Sequence, residues 1–542
     1  MIRNALSKPD PETSAHVDEG AVPCALVIST SLQEGLALHR EGKLEQAQQT
    51  YEQILAVSPS NFDALHFMGV IFYQLGNYLK SVEVIGKALA VDSKQAAAHI
   101  NLGVALTGLG LIEEALASYD CAITLNDGSA QAHMHRGNTL MKLQRFDEAV
   151  TSHTRAIEIK GDFAQAHLSL GSALKHLGRL EEAAQCFEKA IALRENYAQA
   201  YFNRGVVLHE QSRMDAAIAS YESAINIVPD YAEAWLNKSL ALLSLGEYLR
   251  GWPVYEWRWR KEKRKLDPYV DMQRQWSGRE SLQDKTILIY AEQGLGDTIQ
   301  FCRFVPALRA LGARVILQVP RALLGLVANL QGLTQAIEEG APVPPYDFHC
   351  ALMSLPGAFQ TDLCSIPLAQ GYLSVSPDKY QYWQQRMGPK QGIRIGLVWN
   401  GAIGTQRDKD RSLPLGQLLM HLPSQFEYIC LQKEIRDSDQ GELAASSVRY
   451  FGAEIADFTD TAALCELVDL VISVDTSVAH LAGALGRPTW VLLPYVADWR
   501  WLMDREDSPW YESMLLIRQG TDRQWAPVLA RMKQVLTARN SD

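Results

Sequence analysis

Hydrophobic positions along the chain obey two rules, and the change between them falls near residue 285. In the first stretch, small and large residues recur with a period of 34: Gly35, Gly69, Gly103, Gly137, Gly171 and Gly205. Twelve positions beyond each stands a small residue: Ala47, Ser81, Ala115, Ala149, Ala183 and Ala217. Four positions further on is a ring in most units, Tyr51, Tyr119, Phe187 and Tyr221, with Ile85 and His153 departing from that rule. Ala88, Ala122, Ala156, Ala190 and Ala224 follow, and Pro59 and Pro229 occupy closing turns. Small residues at fixed helical positions let paired helices approach closely, and the large side chain fills the space beside them, so each unit reads as a helix–turn–helix. One hairpin cannot bury its apolar face alone, so neighbours must stack. Six units are clear over 28–231. A seventh, at 232–262, keeps Trp235 and Tyr255 but carries Ser239 and Gly251 at the small positions, as expected of a terminal unit.

Beyond 285 the pattern becomes strand, turn, helix. KTILIYA (285–291) is a buried-strand run, GLGD (294–297) a tight turn, and TIQFCRFVPALRAL (298–311) has helical spacing before the strand ARVILQV (313–319). FHCALMSLP (348–356) continues this block, and a second block holds IRIGLVW (393–399), FEYICLQ (426–432), DLVISVD (469–475) and PTWVLLPY (488–495). Strand–helix–strand units imply parallel sheets. The expected fold is an α-solenoid followed by an α/β region of two Rossmann-like modules with a cleft between them. The expected limits are a flexible tail 1–27, the array 28–262, a linker 263–285, modules 286–388 and 389–520, and a C-terminal helix 521–542. In WPVYEWRWRKEKRK (252–265) the aromatic residues are read as sealing the open end of the stack against the next domain, in preference to stacking on nucleic acid.

Composition narrows the field. The chain has 542 residues, 47% apolar and 21% charged, as in globular proteins. Its net charge of −11 argues against nucleic acid as a partner through general electrostatics. Eight scattered cysteines without a CxxC pair fit a reducing, cytoplasmic setting. No apolar run is long enough for a membrane span, and the acidic residues before AVPCALVIST (21–30) argue against a secretory signal.

The period of 34, with its glycine, alanine and aromatic positions, resembles the tetratricopeptide repeat family. Two positions before Gly69, Gly103, Gly137, Gly171, Gly205 and Ser239 stand Phe67, Asn101, His135, Ser169, Asn203 and Asn237, three of them asparagine. These three resemble the asparagine ladder of O-GlcNAc transferases, which implies a groove gripping the backbone of a protein acceptor. The other reading is that they brace the neighbouring repeat. Over 285–520 the chain resembles the glycosyltransferase family that includes bacterial heptosyltransferases (GT-B, family 9-like). That resemblance rests on GLGDTIQFCRFVPAL (294–308), RSLP (411–414) and DLVISVDTSVAHLAGALGRP (469–488), where Ser477 replaces a common glycine. DWRWLMDREDSPWY (498–511) is similar to transferases fused to these repeats.

The resemblance implies a nucleotide-sugar co-substrate, no other cofactor, no metal, and transfer with inversion. Gly294 and Gly296 are expected to let the chain turn sharply from strand to helix. Asp297 is either an N-cap or the general base that takes the acceptor proton; it aligns with the family's catalytic aspartate. The amides of Thr476, Ser477 and Val478 begin a helix after a strand, which favours phosphate. Asp475 could hold a sugar or ribose hydroxyl, and His480 either bonds phosphate or ribose or is a satisfied helix histidine. Asn400 and Gly401 offer a further phosphate contact, and Arg411 aligns with a basic residue that neutralises the leaving group. Arg407 and Lys409 are read as solvated loop charges, and DKD (408–410) and DSD (437–439) as chance matches to a metal motif. Together these imply sugar transfer to a Ser or Thr hydroxyl of a protein captured by the repeats, with flagellin one candidate. Alternatives are transfer to lipopolysaccharide or another glycan, with the repeats as a docking module, and a non-catalytic scaffold that binds a nucleotide sugar.

Overall fold

The computed structural model describes residues 22–261, 272–367, 370–401 and 408–538. Most of the expected tail and part of the expected linker lie outside them. The chain divides into two compact units, residues 1–208 and 209–542.

The first unit is a repeat solenoid. Its hairpins are Val22–Arg40 with Leu44–Val57, Phe62–Gln74 with Tyr78–Val91, Ala96–Leu109 with Ile112–Leu125, Ala130–Lys142 with Phe146–Ile159, and Ala164–His176 with Leu180–Leu193. The first helix starts at Val22, within the stretch read as tail. A Cβ added at Gly35 would fall 2.6 Å from the Tyr51 ring, at Gly103 2.6 Å from Tyr119, and at Gly171 2.7 Å from Phe187. The large side chain sixteen residues on therefore fills the space that the missing side chain leaves, as the pattern requires. A second periodic device ties each turn to the following helix. The imidazoles of His99, His133 and His167 pair with the carbonyl oxygens of Ser93, Asp127 and Gly161 at 3.0, 3.0 and 3.2 Å, each six residues back. The boundary between units falls within helix Ala198–Glu210, and helix Met214–Ile227 follows it.

The second unit holds the last repeat helices, Ala232–Ser244 and Tyr248–Tyr255, and the α/β region. The terminal hairpin thus lies in the same compact unit as the α/β region and shares its core. Trp510 Nε1 donates to Tyr248 Oη at 2.9 Å, Trp252 Nε1 donates to the Thr361 carbonyl at 2.9 Å, and the Trp252 and Trp499 rings meet edge-on at 5.3 Å. These aromatic residues make the seal read from the sequence. Trp257 departs from that reading, stacking on Trp235 at 5.1 Å within the repeat end itself.

Among the described residues ten strands form two parallel sheets. The first has β1 (Thr286–Tyr290), β2 (Arg314–Val319), β3 (Leu333–Glu338) and β4 (Phe348–Ala351) in the order 3-2-1-4. The second has β5 (Arg394–Val398), β6 (Glu427–Cys430), β7 (Arg449–Tyr450), β8 (Leu470–Val474), β9 (Thr489–Leu493) and β10 (Met514–Arg518) in the order 10-9-8-5-6-7. All paired strands are parallel, consistent with two GT-B-like modules. Helix Pro377–Met387, expected at the end of the first module, is bonded into the second: Trp383 Nε1 donates to Asp460 Oδ1 at 2.9 Å. Helix Trp525–Ala538 buries Val528, Leu529, Met532 and Leu536 in the same core as Ile395 and Leu397.

Candidate functional site

Chain order changes direction twice in these sheets. From β1 one connection leads to β2 and another strand, β4, lies on its opposite side; β5 and β8 divide the second sheet likewise. Loops diverge at such points and leave a crevice beyond the carboxyl ends of the strands. Gly294 to Asp297 follow β1, Asn400 and Gly401 follow β5, and Asp475 to Ser477 follow β8. All of them line one cleft of about 680 Å³, together with Arg411 and His480.

The loop after β1 turns on Gln293, which has φ 62°. The neighbouring glycines serve other ends than the sharp turn expected of them. Gly294 has φ −90° and ψ 166°, a conformation open to any residue. Gly296 is small because another helix lies against it: a Cβ there would sit 2.9 Å from His480 Cδ2 and 3.4 Å from Ser477 Cα. Helix Leu295–Phe301 and helix Ser477–Ala484 therefore meet at their N-terminal ends. The first N–H groups of a helix have no acceptor within it, so the start of Ser477–Ala484 offers an anion both amides and the positive end of a dipole.

Asp297 closes a capping arrangement, accepting from the Gly294 N–H at 2.7 Å through Oδ2. Its Oδ1 accepts from Arg500 Nη2. Burial holds this carboxyl above the usual carboxylate range, against the opposing pull of Arg500 and the Gly294 amide. Asp475 lies under Arg411, whose Nη1 donates to its carbonyl at 3.2 Å. Burial, reinforced by Asp498, pushes the Asp475 carboxyl up to about 6. The Arg411 guanidinium fills the space beside Gly401, where a Cβ would fall 2.5 Å from Nε. Thr476 Oγ1 lies 3.1 Å from Ser473 Oγ.

Two expected ligands are engaged within the protein. His480 is buried, with Nδ1 3.0 Å from Tyr511 Oη and its ring stacked on Trp501 at 5.2 Å. Burial, then Arg500, pushes its pKa down to about 3, so the ring is neutral and offers a phosphate no charge. Asn400 Nδ2 donates to Asp439 Oδ2 at 2.6 Å, the same oxygen that takes Trp399 Nε1 at 2.8 Å. Asp439 of the DSD triplet is thereby a structural acceptor. Asp408 of the DKD triplet pairs with Arg436 at 2.5 Å and accepts from Ser412 Oγ at 2.8 Å. Among the described residues no group of three or more His, Cys, Asp or Glu side chains could hold a metal ion. Arg407 lies outside the described residues, and the Lys409 side chain is not among those described.

The three asparagines expected along a peptide groove are each bonded within the chain. Asn101 Nδ2 donates at 2.8 Å to His66 Nε2 of the preceding repeat, an acceptor because burial pushes His66 down to about 4. Asn203 accepts from Gln199 Nε2 at 3.1 Å and reaches Ser172 Oγ at 3.5 Å. Asn237 Nδ2 donates to the Glu233 carbonyl at 2.8 Å. Each amide nitrogen thus has a partner within the chain.

Sequence reading passed over one central residue. Arg500 lines the cleft and is only 7% exposed. Besides Asp297 it donates to Asp498 Oδ1 at 2.8 Å and Gln300 Oε1 at 2.7 Å, and its guanidinium lies 4.3 Å from the centre of the Trp499 ring. The signal was an arginine between two tryptophans in DWRW, but its partner stands 203 residues earlier. Lys433 and Arg436 also line the cleft, on the loop after β6.

Family models match within the repeat half, and a curated relative matches a longer stretch. Family models described as TPR repeat match residues 171–212 and 207–246, and models described as tetratricopeptide repeat match 32–85, 68–130 and 130–163. Protein FlbA of Caulobacter vibrioides is 28% identical over 326 residues, 55% of this chain and 54% of that protein. The chain thus spans about half the length of the curated relative it matches. The crystal structure of MamA is 27% identical with a TM-score of 0.28, covering 30% of this chain and 94% of that one. YrrB, described as a TPR protein with an unusual peptide-binding site, is 22% identical with a TM-score of 0.32, covering 35% and 98%. The chain carries tetratricopeptide repeats followed by a C-terminal α/β region of parallel sheets. Repeats of this kind suggest peptide or protein binding. Among the described residues no helix is long and apolar enough to cross a membrane.

Proposed function

We propose that the chain is a metal-independent, inverting glycosyltransferase of the GT-B type. It moves a sugar from a nucleotide-sugar donor to a Ser or Thr hydroxyl of a protein held by the repeats, with flagellin a candidate acceptor. The observation that carries this reading is the cleft shared by Asp297, Arg411 and the helix start at Thr476–Val478. A carboxyl with proton affinity raised by burial suits a general base. In the step envisaged, the acceptor oxygen bonds to the anomeric carbon and passes its proton to Asp297. The bond from that carbon to the donor phosphate breaks, and the nucleotide leaves with the electron pair. Helix-end amides and Arg411 oppose the charge gained by the phosphate.

A second reading, a scaffold that binds a nucleotide sugar without turnover, is favoured by one feature: both oxygens of Asp297 already accept hydrogen bonds. The test is to incubate the full chain with a panel of nucleotide sugars and host protein extract, following nucleotide release and added glycan mass. Transfer that falls by roughly two to four powers of ten in Asp297→Asn supports a base at this position. Undiminished transfer in that variant removes Asp297 from the role. Donor binding with no release under any condition selects the scaffold.

A further inference from the structure

Arg500 is a buried cation in the cleft that faces two carboxylates, one from each module. Asp297 follows β1 and Asp498 follows β9, and the guanidinium bonds both. Gln300 Oε1 takes its Nε at 2.7 Å, so the fork is held from a third side. A guanidinium this fixed in orientation needs little rearrangement to receive a second planar or tetrahedral anion. It also lies in the same cleft as Arg411 and the amides at the start of Ser477–Ala484. Asp297, in turn, has one oxygen on the Gly294 amide and the other on Arg500. Each oxygen keeps a second lone pair, but a guanidinium bonded to one of them draws down the proton affinity of the carboxylate, so the base strengthens when that bond loosens.

We propose that Arg500 is the donor's diphosphate ligand and that the diphosphate competes with Asp297 for it. The ion pair holds down the basicity of the carboxylate. An arriving diphosphate shares or takes the guanidinium, and Asp297 Oδ1 becomes available to the acceptor hydroxyl. This rests on the transferase reading above and goes further, because it makes donor binding the event that arms the base. It also fixes an order: the donor precedes the acceptor.

Competition has a signature that a merely structural arginine lacks, because removing the competitor tightens the ligand. The measurement is calorimetric titration of the full chain with UDP, GDP, ADP, CDP and inorganic pyrophosphate, each alone. Asp297→Asn removes one of the two charges that hold Arg500, and we expect the best-bound nucleotide to tighten by about three- to tenfold. Arg500→Gln should weaken it by roughly tenfold, the loss of one charge-assisted contact. Arg500→Lys, which keeps the charge but loses the fork, should fall between them. Should Arg500→Gln fail to fold, the Asp297→Asn titration decides alone. Binding that is unchanged or weaker in Asp297→Asn overturns the competition while leaving nucleotide recognition intact. Absence of binding by every nucleotide to the unaltered chain overturns the transferase reading and this inference with it. Pyrophosphate that binds as well as any nucleotide, with the same response to both substitutions, supports the diphosphate as the recognised group.

Discussion

His153 stands where other repeats place tyrosine or phenylalanine, and its ring fills the space over Gly137 in the same way. It is fully buried, and among the described residues neither ring nitrogen has a hydrogen-bond partner. An unsatisfied buried polar atom costs about 1–3 kcal/mol. His153→Phe should therefore raise the stability of the array by about that amount, measured by urea unfolding. Phenylalanine is the better replacement, since the Tyr51 hydroxyl in the equivalent place is likewise buried without a partner among the described residues. The histidines also set a pH dependence. Burial pushes His66, His135 and His153 each down to about 4 from 6.5. Between those values the unfolded chain binds protons that the folded chain refuses, so stability falls as pH drops from about 6.5 toward 4. Thermal melts followed by circular dichroism at pH 7.5 and 5 should show the loss, and His153→Phe should lessen it.

At the scale of elements, strands and helices were legible wherever burial on both faces leaves a continuous apolar run. β1, β2, β5, β8 and β9 all read that way. β3, β7 and β10 escaped, and each is an edge of its sheet. β3 has two exposed positions and the sequence LTQAIE, so its pattern carries too little apolar signal to mark a strand. The turn after β1 was placed correctly by its glycines, but for a different physical reason. The positive φ belongs to Gln293, whose Nε2 donates to Tyr255 Oη at 3.0 Å. Gly296 instead permits two helix ends to touch, a contact across the chain that no local pattern announces. Gly296→Ala should consequently cost about 1–3 kcal/mol by overpacking against His480. Chemical denaturation reads the loss. Gly294→Ala meets only the Asp297 carboxylate, at 3.1 Å, and should be better tolerated. Arg500 was illegible as a site residue for the same reason as Gly296: its meaning lies in its partners, not in its neighbours along the chain.

At the scale of the whole molecule, the boundary at 208 and 209 predicts where the chain can be cut. Removing residues 1–208 should leave a cooperatively melting α/β unit. Extending the deletion to 262 takes away Tyr248, Trp252 and Tyr255, each buried in the α/β core. It also removes Arg258, which bonds Glu292 through two nitrogens at 3.0 and 2.7 Å. Each buried tryptophan or large aromatic is worth about 3–5 kcal/mol, and a domain has about 5–15 in total. The longer deletion should lose its melting transition or precipitate, and differential scanning calorimetry of the two products separates the outcomes. Had the array been an independent module as far as 262, both would melt alike. The attachment of the last hairpin also bears on ancestry. A lineage that gains or sheds blocks of 34 residues must do so upstream of residue 208. Duplication there only lengthens a stack, whereas copying the terminal hairpin would repeat tryptophans that have a single socket to enter.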